Sequence, residues 1–378
     1  MLKPKKTQEL LNYVAGLQAL RGVAVLLVVA SHLHTIVSTD PHFIDVTPLP
    51  WINQALSRGF LGVDIFFVLS GFLITSLLFK EGEKGITSKL KGFYYRRALR
   101  ILPALYALLI VSFIIALWEE SSLTYQWNST WSALLFISNW TFEPFFLQTQ
   151  DDLGHLWSLA VEEQFYLVWP IVFFALSRRR IHWSITTSAM AVLVLVIALH
   201  RNSLWDSQVP WIFIYLKTET RADAILVGCI FAYIFRFVSI PQKLLKILGY
   251  TSVVLLIAVA YFYSDVKKGF LYQGGFSLIA FLAGIVVLTV VVVPSFGGSL
   301  VNSRTLIWWG QRSYGIYLWH LLIFRVFGRH EFVGSEFLRI LIAIGISLGV
   351  AELSWRVIEQ PFIRIKNDKF SRLRPTHN

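Results

Sequence analysis

Long apolar stretches, more than any motif, constrain what this sequence can fold into. Hydrophobic residues make up 56% of its 378 residues, and the mean hydropathy of +0.61 is far above that of soluble domains. Apolar runs of roughly 20 residues predict membrane-spanning helices. We therefore predict an all-α fold, a polytopic membrane bundle of about ten transmembrane helices near residues 18–36, 60–79, 98–117, 161–176, 183–199, 222–237, 246–262, 274–293, 306–326 and 336–357.

The basic residues set the predicted orientation of this bundle. Lys and Arg collect in cytoplasmic loops, and an N-terminus inside the cell puts most of the 34 Lys and Arg residues on the cytoplasmic side. The long segment 118–160 then lies outside, and it contains no Lys or Arg. Both termini are predicted to be cytoplasmic. Topology accounts for the net charge of +12, so membrane lipids rather than nucleic acid are the expected partners of these loops.

Other features limit the function classes. Cys229 is the only cysteine, which excludes an internal disulfide and a multi-cysteine metal site, and we expect no bound metal. The first apolar run lacks an obvious cleavage site of small residues, so we interpret it as a retained helix rather than a signal peptide. No clear internal repeat is present.

Arg21 and His32 lie in the first predicted helix, eleven residues apart. Eleven steps of about 100° end about 20° past three full turns, which places both side chains on one face about 16.5 Å apart. Ionisable residues in a membrane helix are costly and usually line a site or a pathway. This spacing favours a functional interior that both residues face.

Other predicted helices carry ionisable groups to the level of His32. Each alone could be a paired, buried polar group, but their common depth predicts one site formed by His32 with Asp64, Glu162, Arg221, Asp223 and His320. At the opposite end, Arg97 and Arg100 share a helix face near the level of Arg21. Arginines of this kind bind phosphates, although anchoring at the cytoplasmic surface is the alternative.

Seven ordered sequence blocks resemble the acyltransferase-3 family of membrane acyltransferases: LRGVAVLLVVASHLH, GVDIFFVLSGFLIT, RRALRILPALY, HLWSLAVEEQFYLVWP, RADAILVG, GQRSYGIYLWH and IEQPF. The resemblance covers residues 16–362, which leaves 1–15 as a cytoplasmic N-terminal segment and 363–378 as a basic cytoplasmic tail. It implies a ten-helix integral protein of the bacterial inner (plasma) membrane. Many relatives carry an additional hydrolase-like domain outside the membrane, and we do not expect one here.

The resemblance also implies an activity. Family members transfer acyl groups, commonly acetyl from acetyl-CoA, to hydroxyls of surface carbohydrates such as O-antigen or exopolysaccharide. Acyl-CoA is then the donor substrate, a carbohydrate or lipid-linked glycan is the acceptor, and no permanently bound cofactor is expected. Arg21 with His32, and Arg97 with Arg100, match motifs that the family associates with activity.

The chemistry of this transfer assigns candidate roles. A hydroxyl attacks a thioester slowly without a base, and the neutral imidazole of His32 suits that task near pH 7, although it could instead accept the acyl group itself. Glu162 is the first candidate to orient the ring and Asp64 the second, while Glu163 could do so or be structural. Donor phosphates are assigned to Arg21, Arg97 and Arg100. Acceptor binding is assigned to His320, Arg221, Asp223 and His155, the last of which could instead cap a loop.

Two alternatives remain open at this point. The acceptor could be a small hydroxylated metabolite or an antibiotic instead of a polysaccharide. Buried Arg, His, Asp and Glu in a ten-helix bundle also suit a proton-coupled transporter or flippase, but the sequence has no paired broken-helix pattern.

Overall fold

The computed structural model describes residues 5–33, 36, 57–81, 86–141, 152–263, 267–330 and 335–371. All regular secondary structure in these ranges is helical, so the predicted all-α class is confirmed. In chain order the α-helices are α1 (Lys5–Ser31), α2 (Phe60–Glu81), α3 (Ile86–Trp118), α4 (Leu123–Leu134), α5 (Ser138–Thr141), α6 (Leu156–Arg178), α7 (Trp183–Asp206), α8 (Trp211–Leu216), α9 (Thr218–Phe237), α10 (Gln242–Phe262), α11 (Phe276–Val292), α12 (Gly298–Val301), α13 (Arg304–Arg329), α14 (Glu336–Ser354) and α15 (Gln360–Ser371). A 3₁₀ turn, Ser57–Gly59, and two π-helical turns, Leu271–Gly275 and Trp355–Glu359, lie between them.

Seven helical stretches in the described ranges are long and apolar enough to cross a membrane: Phe60–Lys80, Leu90–Trp118, Leu156–Arg178, Trp183–Asp206, Gln242–Phe262, Leu271–Val292 and Glu336–Ile365. They correspond to seven of the ten predicted spans, which supports an integral membrane protein. The other three predicted spans are helical as well, as α1, α9 and α13. The count of ten and the side on which each terminus lies stay predictions.

The three helices that miss the apolar criterion are rich in candidate site residues. The apolar part of α1, Ala15–Ser31, is short, while α9 contains Glu219, Arg221, Asp223 and Arg236. Arg221 and Asp223 are buried, because α9 packs most extensively on α2 and α1 on α13, whereas Glu219 and Arg236 are exposed. The low hydropathy of these helices therefore reflects in part the polar interior that they line.

Glycines bring these helix pairs into backbone contact. A Cβ atom on Gly310 would lie 1.7 Å from the backbone oxygen of Gln18, and one on Gly71 would lie 1.9 Å from that of Ile225. Only glycine permits such an approach, which is the usual role of small residues between membrane helices. The first contact sets how α13 lies against α1.

Two boundaries differ from the prediction. The first helix ends at Ser31 rather than near residue 36, and the His32 N–H donates to the Val29 carbonyl at 3.1 Å in the turn that follows. The segment 118–160, predicted as a loop, contains α4 and α5, while residues 142–151 lie outside the described ranges. His32 is therefore held by a tight turn rather than by a continuing helix.

Candidate active site

A cavity of about 520 Å³ extends from Lys80, at the end of α2, and Arg96 in α3 to Ser158 and Tyr317 deeper in the bundle. This volume is in the range of small-molecule sites. Leu69, Leu73 and other apolar side chains form much of its wall. Among the described residues that line it, five are basic and one is acidic, namely Arg21, Lys80, Arg96, Arg97 and Arg100 against Glu162. We call it the arginine cavity, and the end of the bundle at Lys80 the arginine end.

Arg97 is held firmly in the wall of this cavity. Its Nη2 lies 2.6 Å and its Nε 3.0 Å from Oε1 of Glu163, and its guanidinium lies 3.6 Å from the ring centroid of Tyr166. Glu162 accepts a hydrogen bond from Ser70 Oγ at 2.9 Å and lies 3.9 Å from Arg97. The charge of Arg97 is therefore largely balanced by glutamates, and its orientation is fixed.

Arg21 and Arg100 are different, although they line the same cavity. Within the described part of the chain, neither guanidinium donates a hydrogen bond or lies within ion-pair distance of a carboxylate. Cations buried in a membrane protein usually have an anionic partner, since desolvation is otherwise costly. Placed at this cavity, the two side chains can bind an anionic ligand such as a phosphate.

Three histidines meet at the deep side of the cavity, and we call His32, His155 and His320 the histidine cluster. Nδ1 of His32 lies 3.2 Å from Nε2 of His320. The ring centroids of His155 and His320 are 5.3 Å apart. The structure thus brings His32 and His320 together, as their common depth predicted, and adds His155, which was not part of that predicted group.

The hydrogen bonds of this cluster set which ring nitrogens carry protons. Nδ1 of His320 lies 3.0 Å from the Ile316 carbonyl, so it is the N–H donor and Nε2 is the acceptor. Nδ1 of His32 lies 2.9 Å from the Val28 carbonyl and faces that acceptor nitrogen, so it too carries the proton. The basic lone pair of His32 is then on Nε2.

Tyr317 joins the arginine cavity to the histidine cluster. Its ring lines the cavity and lies 5.1 Å from that of His155 and 5.9 Å from that of His320. Its hydroxyl lies 2.8 Å from Ser158 Oγ and donates to the His155 carbonyl. Sequence reasoning missed Tyr317, although its position three residues before His320 places both on one helix face.

The carboxylates predicted to orient His32 lie elsewhere. Glu162 faces Ser70 and Arg97, and Asp64 is fully buried with its Oδ1 2.8 Å from Arg221. Among the described residues, neither contacts His32, contrary to the prediction. The helix faces next to these carboxylates carry Ser70, Arg97 and Arg221, which are therefore their partners. His320 takes the place predicted for the carboxylate.

Arg221 and Asp223 belong to buried ion pairs, and this geometry does not support the prediction that they bind the acceptor. Arg221 pairs with Asp64 and lies 3.8 Å from the ring centroid of Phe276. Asp223 lies 2.9 Å from Nη1 of Arg201. All four charged side chains are at most 1% exposed. Arg201 was missed because it follows the predicted span 183–199.

His155 is buried next to α6, at the position that precedes its first residue. Its Nε2 donates to the Leu318 carbonyl at 3.1 Å, which links the start of α6 to α13. The side chain therefore connects two helices, in addition to lying beside His320. This contact agrees with a structural part for His155 and leaves acceptor binding as a prediction.

Comparison with known proteins agrees with the resemblance. A family model described as an acyltransferase domain matches residues 14–356. Peptidoglycan O-acetyltransferase OatA of Listeria monocytogenes is 32% identical over 365 residues, which cover 93% of this chain and 56% of OatA. YrhL of Bacillus subtilis, provisionally assigned as a peptidoglycan O-acetyltransferase, is 33% identical over 370 residues, covering 93% of this chain and 55% of YrhL. The chain thus spans little more than half the length of these relatives. No solved structure matches it.

Proposed function

Because this chain belongs to the acyltransferase-3 family, we propose that it is an integral membrane O-acetyltransferase that moves an acetyl group from acetyl-CoA to a hydroxyl of a cell-surface glycan. One observation carries the proposal. The arginine cavity contains two cations, Arg21 and Arg100, with no carboxylate of the described residues at ion-pair distance, and it ends at Tyr317 beside His320, which in turn contacts His32. This arrangement supports anion binding at one end of the cavity and a basic imidazole beyond its other end.

The arginine cavity suits a CoA thioester as the donor. Arg21 and Arg100 would bind the phosphates. Arg97, held by Glu163, would add the N–H groups of its guanidinium that Glu163 does not occupy. The slender arm of CoA would follow the apolar wall at Leu69 and Leu73 toward Tyr317. We place the arginine end in the cytoplasm, where acetyl-CoA is made.

His32 acts as the general base in this proposal. Its Nε2 takes the proton of the acceptor hydroxyl while the oxygen attacks the thioester carbonyl, a C–O bond forms and the C–S bond breaks. The CoA sulfur leaves and finally receives the proton from the imidazolium. His320 accepts from Nδ1–H of His32, which fixes the ring and stabilises its protonated form.

The acceptor side is proposed from the relatives. Two of them are named for O-acetylation of peptidoglycan, so a cell-wall glycan is a better candidate acceptor than the O-antigen or exopolysaccharide that the sequence suggested. The histidine cluster lies beyond Tyr317, away from the arginine end. A donor from one side of the membrane can therefore meet an acceptor from the other.

Arg100→Lys tests donor binding. Lysine keeps the charge but loses the planar fork that forms two parallel hydrogen bonds to a phosphate. We expect the KM for acetyl-CoA to rise about tenfold, which corresponds to ~1.4 kcal/mol, with the acceptor KM unchanged. Steady-state kinetics with each substrate varied in turn measures both constants.

Arg179→Lys is the matched control, since Arg179 is exposed in the turn after α6 and also belongs to a predicted cytoplasmic segment. Its donor KM should equal that of the unmodified protein. An Arg100→Lys variant with the same donor KM would make Arg100 a topological anchor, and the assignment of the cavity to CoA would be lost.

A further inference from the structure

A second pair of arginines lies at the opposite end of the bundle from Lys80. Arg339 in α14 is 6% exposed, and its Nε is buried without a hydrogen-bond partner. Within the described ranges its guanidinium forms no ion pair. A buried cation without a partner destabilises the fold, so it is expected where a ligand supplies the missing charge.

Arg325 lies at the same depth as Arg339. Helices α13 and α14 run antiparallel, and Arg312 of one pairs with Glu352 of the other. Thirteen residues further along α13 is Arg325, and thirteen residues back along α14 is Arg339. Both helices rise about 1.5 Å per residue, so the Cα atoms of Arg325 and Arg339 lie at about the same depth in the bundle.

This level adjoins the histidine cluster. Arg325 directly follows Phe324 in α13. Arg339 lies one helical turn beyond Ala343, which packs in an apolar layer with Phe324 and Ile36. The ring of Phe324 is 5.8 Å from that of His320. The two arginines are therefore on the side of the histidines that faces away from the arginine cavity.

We propose that Arg339, with Arg325, binds an anionic group of the acceptor, so that the acceptor is a glycan with a carboxylate or phosphate near the acylated hydroxyl. The proposal rests on the proposed function, because it assigns the acceptor side of the same site. A guanidinium binds either anion through paired hydrogen bonds. Donor phosphates occupy the arginine cavity, so the two anions would not compete.

Anion binding can be measured without any acyl transfer. The full chain in lipid nanodiscs, with saturating CoA present to fill the arginine cavity, is titrated with radiolabelled glucose, glucuronic acid and glucose 1-phosphate, which share one ring and differ in charge. We expect at least one of the two anionic sugars to bind at least tenfold more tightly than glucose. The stronger of the two identifies the anion as carboxylate or phosphate. Equal binding of all three sugars would overturn the proposal.

Matched variants locate the site. Arg339→Leu should remove the preference for anionic sugars, Arg339→Lys should keep part of it, and Arg100→Leu should leave it unchanged because Arg100 lies in the arginine cavity. Replacing an unpaired buried cation by leucine should also keep or raise the melting temperature. A lower melting temperature for Arg339→Leu, or loss of the preference in Arg100→Leu alone, would contradict the site.

Transfer assays separate this proposal from the proposed function. If the protein preferred anionic sugars but transferred no acetyl from acetyl-CoA, the anion site at Arg339 would stand and the proposed acetyltransferase function would be rejected. If acetyl were transferred to a neutral glycan as fast as to an anionic one, the acetyltransferase function would stand and the anion site would be rejected.

Discussion

Replacement of His32 by alanine is expected to lower acyl transfer by about 10²-fold or more, which is the usual contribution of a general base. The protein should remain in the membrane and bind acetyl-CoA with unchanged affinity, because the arginine cavity does not include His32. The measurement compares kcat for transfer with a direct donor-binding titration. His32→Asn and His32→Gln should not restore the rate, since neither amide has a basic nitrogen.

His200→Ala is the control for this experiment. His200 is exposed on α7, so its loss should leave both kcat and donor affinity unchanged. Near-normal turnover of His32→Ala would remove His32 from the mechanism. Retained turnover with a trapped acyl group on the His32 ring would instead favour the route in which the imidazole accepts the acyl group.

Arg221→Leu is expected to destabilise the protein by about 3–5 kcal/mol, because it leaves the carboxylate of Asp64 buried without its partner. Asp64→Leu should be similarly harmful. The double variant Asp64→Leu with Arg221→Leu should be more stable than either single variant, since no unpaired charge remains. Thermal unfolding in one detergent measures the three variants.

Arg236→Leu provides the comparison, because Arg236 is exposed on the same helix, α9. Its effect should stay within about 0.5 kcal/mol. If Arg221→Leu melted like the unmodified protein and raised only the acceptor KM, the original assignment of Arg221 to the acceptor would be restored.

The sequence predicted the depths of Arg21 and His32 better than it predicted the contacts of the other candidate residues. The periodicity of α1 placed Arg21 and His32 at different depths of one interior, and the structure puts Arg21 in the arginine cavity and His32 beside His320. The depth of a residue in the membrane does not show which neighbouring helix its side chain faces. For that reason it grouped Asp64 and Arg221 with His32, although they form their own buried pair.

The polar interior also explains which spans hydropathy alone identifies. Helices that face lipid, such as α10, are apolar on most of their surface and satisfy the criterion. Helices α1, α9 and α13 lie against other helices and carry polar residues toward the site, so their mean hydropathy falls. Tyr317 and Arg201 escaped prediction because an isolated tyrosine or a residue just past a span carries no pattern of its own.

Transfer of labelled acetyl by the purified protein tests the central claim most directly. The chain in nanodiscs is incubated with acetyl-CoA labelled in the acetyl group and with a cell-wall glycan acceptor, alongside His32→Ala and Arg100→Lys. We expect the unmodified protein to form an O-acetyl ester on the glycan and His32→Ala to form almost none. Arg100→Lys should form the ester when acetyl-CoA is saturating. Movement of the glycan or of protons across the membrane without ester formation would identify a transporter and contradict the proposed function.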